Sequence, residues 1–168
     1  MNKPAPIVLA VDTNDLDIAK QWVNATDGVI SVVKLGLEFY TVFGNQGVKA
    51  IADSCGTDIF LDLKLHDIPH TVAGAARAVS TLRPKFLTVH AAGGSAMVQA
   101  AADAMPATHI TGVTVLTSLS EKDVADIGFK SHALDSAVGL AKVAVAGGAR
   151  AIVCSPLEIL AIRENLGD

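Results

Sequence analysis

The chain has 168 residues, of which 51% are hydrophobic, 18% charged and 4% aromatic, and its formal net charge is −4. Disorder is excluded, because it needs low hydrophobicity and high net charge, and the acidic balance argues against nucleic-acid binding, which normally shows a basic patch. A membrane span needs roughly 20 mostly apolar residues, whereas the longest stretches free of Asp, Glu, Lys and Arg, 86–102 and 104–120, are shorter and interrupted by Gly or Pro.

Two periods alternate along the chain. Short β-branched runs at 7–11, 29–33, 59–63, 86–89, 110–116 and 151–153 predict strands. Ala-rich segments with helical spacing at 15–25, 37–54, 71–82, 95–105, 133–146 and 157–164 predict helices between and after them. Asp27–Gly28, Cys55–Gly56 and Gly147–Gly148 punctuate the passages from helix to strand. Six βα repeats imply parallel strands with crossover helices and a sheet buried on both faces. No linker or charge block divides the chain, so residues 1–168 read as one domain. Six units in 168 residues is about 28 residues each, and eight such units would approach the ~250 typical of a (β/α)8 TIM barrel. The expectation is a barrel of which this chain supplies about six units and lacks the last two. After Lys3 the apolar run covers only 7–11 before Asp12, so no leader peptide is expected. Cys55 and Cys154 suit neither a disulfide framework nor a metal site. They read as buried free thiols in a reducing cytoplasm.

In parallel α/β folds the carboxyl ends of the strands form one rim, where ligands bind. The predicted strands deliver Asp12, Lys34, Asp62 with Lys64 and Asp67, His90, Thr117 with Ser118, and Ser155 to that rim. The third strand is the most informative. A period of two puts Phe60, Asp62, Lys64 and His66 on one face and Ile59, Leu61, Leu63 and Leu65 on the other. The apolar set suits the helix layer, so the charged set must face a barrel or cleft. An isolated charge there costs several kcal/mol or shifts its pKa until neutral, and alternating Asp and Lys lowers that cost. A structural ion pair is the plain alternative, but an array of two acids and two lysines is expensive scaffolding.

The string D-L-K-L-H-D-I-P-H-T at 62–71 resembles the D-x-K-x-x-D-I-P-x-T signature of the orotidine 5′-phosphate decarboxylases. V-L-A-V-D at 8–12, V-K-L-G at 33–36, F-G at 43–44, T-V-H-A at 88–91 with Gly93–Gly94, and V-T-V-L-T-S at 113–118 are similar to that family, in order. The D-x-K-x-x-D core is shared by a wider group of sugar-phosphate barrels; the I-P-x-T extension and Lys34 make the resemblance specific. It implies decarboxylation of orotidine monophosphate to uridine monophosphate in pyrimidine biosynthesis, without metal or organic cofactor, by a cytoplasmic homodimer. By similarity, Lys64 stabilises and protonates a carbanion at C6 of the pyrimidine, and Asp62 faces the departing carboxylate. Lys34 would bridge Asp62 and the ribose, Asp12 would bind a ribose hydroxyl, and Thr117 would contact the pyrimidine or its neighbours. The signature stretch, with Leu63, Leu65, His66, Ile68, Pro69 and His70 beside the charged residues, is expected to line the substrate. Asp67 and Thr71 are expected to reach the neighbouring subunit's site.

Other features weigh less. His66 and His70 are spaced like a metal pair, but Pro69 between them disfavours a continuous helix. His90 reads first as a packing or hydrogen-bonding residue. Residues 147–150 look like a phosphate loop but precede a strand, on the opposite rim. Gly93–Gly94 could approach a phosphate, although a plain turn is the simpler reading, and Trp22 reads as core or interface. The nearest rival is a Mg²⁺-dependent decarboxylase or aldolase of the same barrel group, which places an acidic metal ligand where Lys34 stands. A non-catalytic phosphometabolite-binding fragment is the other. The family's P-G-I-R segment and later Gly-Arg pair, which grip the phosphate, do not occur in this sequence. Weak substrate binding and poor turnover of this chain are therefore expected, with unpaired edges on the first and sixth strands.

Overall fold

The computed structural model describes residues 4–167, so the charge at Lys3 lies outside the described residues. Strands and helices alternate as β1 (Ala5–Val11), α1 (Leu16–Thr26), β2 (Ile30–Gly36), α2 (Leu37–Ala52), β3 (Asp58–Leu65), α3 (Pro69–Ser80), β4 (Phe86–His90), α4 (Ser95–Ala104), β5 (His109–Val113), α5 (Glu121–Asp126), α6 (Ala133–Ala146), β6 (Ala151–Val153) and α7 (Ile159–Leu166). Single 3-10 turns occupy Ala91–Gly93 and Pro156–Glu158. Strand order follows chain order, and β1/β2, β2/β3 and β5/β6 pair in parallel. This is the (β/α) barrel class, represented here by six βα units.

The chain divides into two compact units, 4–63 with 77–87 and 64–76 with 88–167. In the first, β1, β2 and most of β3 carry the apolar face. Val11, Val33, Leu35 and Leu61 are fully buried with Ala19 and Val23 of α1 and Phe39, Val48 and Ile51 of α2. Asp15 caps α1 by accepting from the N–H groups of Asp17 and Ile18 at 2.9 and 3.0 Å. Gly44 breaks α2 with φ +56°, a left-handed conformation that a glycine adopts without steric cost. In the second unit, α4 and α6 cover β5. Met97, Val98, Ala101, Ala137, Ala141 and Ala144 are fully buried. The approach is close at Gly112, where any Cβ would stand 2.4 Å from that of Ala144.

Several expectations are corrected. Burial on both faces fails at β1, where Ile7 is 56% and Val8 46% exposed, because β1 ends the strand order. The strand predicted over 110–116 stops at Val113: β6 is three residues long, so beyond Thr114, which still donates to the Val153 carbonyl, it offers no ladder. Thr117 and Ser118 therefore lie in an exposed turn and not at a strand end. Helix α5 was not anticipated. Both cysteines are free but only half-buried, and burial together with the Glu158 carboxylate pushes the Cys154 thiol above its ordinary pKa. Trp22 is 43% exposed, which removes it from the core.

Candidate functional site

The first unit brings together three of the expected charges. Asp12 follows the last residue of β1, Lys34 lies two residues before the end of β2, and Asp62 lies near the end of β3. Parallel register puts Lys34 beside Ala10 on one side and Phe60 on the other, and Gly36 beside Asp62. The Lys34 ammonium stands 3.6 Å from Asp12 Oδ1 and 3.6 Å from Asp62 Oδ2. Exposure is graded across this trio: the Asp62 side chain is 12% accessible, Lys34 22% and Asp12 66%. Moving a carboxylate such as Asp62 out of water is costly unless a cation accompanies it, and Lys34 is that cation. Two acids share one ammonium, so the cluster keeps acceptor capacity for hydroxyl donors, outermost at Asp12.

The second unit opens with Lys64, whose backbone is unusual. Its φ is +47°, in the left-handed region, one of two such non-glycine residues among those described. For an L-residue with a Cβ this costs roughly 1–2 kcal/mol, and such strain persists where the surroundings over-determine it. The Lys64 N–H donates to Thr88 Oγ1 at 2.8 Å, and Thr88 is fully buried on β4. Sequence reasoning missed Thr88; its signal is a lone hydroxyl within F-L-T-V-H. The strict alternation expected through His66 ends at this kink. Leu63 remains buried, Leu65 is half-buried, and His66 lies beyond the strand. The His66 ring packs on His90, with centroids 5.3 Å apart and planes tilted by 41°. That contact agrees with a packing role for His90.

Residues 66–71 form an exposed crossing from β3 into α3. Asp67 Oδ1 accepts from the Ile68 N–H at 2.6 Å, and Pro69 opens α3, a position where its missing N–H is harmless. Ile68 is 65% exposed, between Asp67 and the exposed His70 and Thr71. His70 thus stands in the first turn of α3 while His66 lies outside it, and among the described residues no group of three or more His, Cys, Asp or Glu could hold a metal ion. Ser155 serves locally, accepting from the Leu157 N–H while its own N–H donates to Glu158 Oε2. Arg150 is likewise structural, donating to the carbonyls of Pro106 and Thr108 at 2.6 and 2.7 Å. Gly94, with φ +86°, caps α4 after the 3-10 turn.

Comparison with known proteins adds a second line of observation. The model of the orotidine 5′-phosphate decarboxylase / HUMPS family matches residues 5–168. An orotidine 5′-phosphate decarboxylase of Thermobifida fusca is 50% identical, covering 97% of this chain and 70% of its own length. That of Ehrlichia canis is 44% identical, over 96% of this chain and 72% of its own. The crystal structure of the Lactobacillus acidophilus orotidine 5′-phosphate decarboxylase superposes with a TM-score of 0.87 at 35% identity, covering 97% of this chain and 77% of that one.

Proposed function

Because the chain belongs to the orotidine 5′-phosphate decarboxylase / HUMPS family, we propose that it decarboxylates orotidine 5′-monophosphate to uridine 5′-monophosphate, with Lys64 as the group that acts at C6. The reaction breaks the bond between C6 and the carboxylate carbon. Carbon dioxide leaves, and the electron pair stays on C6 in the plane of the ring, where delocalisation is poor. A fixed ammonium beside that carbon stabilises the pair as it develops and then delivers a proton to it; solvent returns the proton to the amine. Asp62, two residues earlier on the same strand, faces the substrate carboxylate, and Lys34 links Asp62 to the ribose. Asp12, the most exposed of that trio, accepts from a ribose hydroxyl, and Thr117 contacts the pyrimidine or its neighbours. The rest of the 62–71 stretch lines the substrate, with Asp67 and Thr71 reaching the neighbouring site of a homodimer.

No step in this scheme calls for a metal or an organic cofactor. Lys34 also disfavours the Mg²⁺-dependent rival, since an ammonium at that position would repel the ion. Two half-buried free thiols fit a reducing compartment such as the cytoplasm. The observation that supports the reading best is the Asp12–Lys34–Asp62 cluster, found on residues that match the family motifs. Lys64→Ala is the direct test, with uridine monophosphate formation followed at fixed enzyme concentration. Turnover should vanish while the circular dichroism spectrum and thermal midpoint persist, and decarboxylation retained in that variant would refute the assignment.

A further inference from the structure

We propose that Thr88 is a positioning residue for Lys64: its buried hydroxyl holds the Lys64 backbone left-handed and so sets the direction in which the ammonium is presented. The inference rests on the reading of Lys64 as the group acting at C6, and extends it to a residue that touches no substrate. Three observations combine. Lys64 has φ +47°, which a lysine adopts only when something imposes it. Its N–H donates to Thr88 Oγ1 at 2.8 Å. Thr88 is fully buried on β4.

A fully buried hydroxyl is costly unless it is bonded, and this one accepts from the residue whose backbone is strained. Without that acceptor the Lys64 N–H loses its partner and the favoured extended conformation becomes the cheaper one. Return to extended backbone would re-aim the Cα–Cβ bond and carry the ammonium away from its place. Misplacement of a reacting group by about 1 Å can cost roughly a hundredfold in rate.

The test compares Thr88→Val, which keeps the shape and removes the hydroxyl, with Thr88→Ser, which keeps the hydroxyl. For Thr88→Val, kcat should fall by about tenfold to a hundredfold, with KM and product affinity within about twofold of the parent. Thr88→Ser should recover most of the loss. Nuclear magnetic resonance supplies a readout independent of turnover. In Thr88→Val the Lys64 amide should lose hydrogen-exchange protection, and its backbone coupling constant should move to the large value of extended chain; in Thr88→Ser both should stay near the parent. An unchanged Lys64 coupling constant and amide protection in Thr88→Val would overturn the proposal, as would an unchanged kcat. Activity retained in Lys64→Ala would instead remove the functional reading, a separate result. Should turnover in the parent be too slow to resolve, the coupling constant and amide protection decide alone.

Discussion

Lys34 serves two acids, of which Asp62 is nearly inaccessible and Asp12 two-thirds exposed. Removing it should therefore have unequal consequences. Asp62, only 12% accessible, loses a charge-compensating partner, which costs about 1–3 kcal/mol; Asp12 faces solvent. Lys34→Met should lower stability by about that amount and abolish turnover. Adding Asp62→Asn should restore most of the stability without restoring activity, as read by chemical denaturation and by uridine monophosphate formation. Recovery of both together would show that Asp62 and Lys34 are structural only. The charged residues of this trio were legible beforehand, because Asp and Lys at strand ends in an apolar chain have few innocent explanations. The conformation of Lys64 was not. Nothing in a lysine announces a left-handed backbone, and the constraint comes from a threonine 24 positions away.

At the level of elements, prediction succeeded where apolar periodicity was long and failed where a neighbour decided the outcome. Helix α6 was anticipated to the residue over Ala133–Ala146, since its Ala-rich face recurs over fourteen residues. The end of β5 was misplaced because V-T-V-L-T-S reads as strand by propensity, yet a ladder needs a partner and β6 supplies three residues. The six-residue α5 is too short for periodicity to register. Its usable signal was Ser120 and Asp123 at capping-box spacing, and that box is formed: Ser120 accepts from the Asp123 N–H and Asp123 accepts from the Ser120 N–H. The Ser120 hydroxyl, and after it the Ser120 N–H, donate to Asp123 Oδ2 and hold that carboxyl below its ordinary pKa. Packing between elements is close at Gly112, where a methyl group would run into Ala144. Gly112→Ala should cost about 1–3 kcal/mol by overpacking, several degrees in thermal midpoint for a chain of this size. Ala144→Gly in the same chain should recover part of it; an unchanged midpoint in the single variant would show that α6 can withdraw freely.

The whole molecule is apolar because parallel strands beneath crossover helices leave few positions for charge. The chain spans about 70% of the length of its Thermobifida fusca relative. Its 66–71 crossing is exposed, with Ile68 bare beside Asp67 and Thr71. If Asp67 acts in the neighbouring site, Lys64→Ala and Asp67→Asn should each be inactive alone and complement each other when refolded together. Random pairing would place one intact site in half of the dimers, giving about a quarter of parental activity. Mixtures as inactive as their parents would assign Asp67 to its own subunit.

The left-handed lysine has a consequence for how sequences of this protein would drift. Glycine, and to a lesser degree asparagine, adopts that backbone at little cost, so the position is one where the most comfortable residue and the useful one differ. A library of this chain ranked on heat resistance alone would move away from lysine at position 64, and its winners would be hardy proteins without the amine.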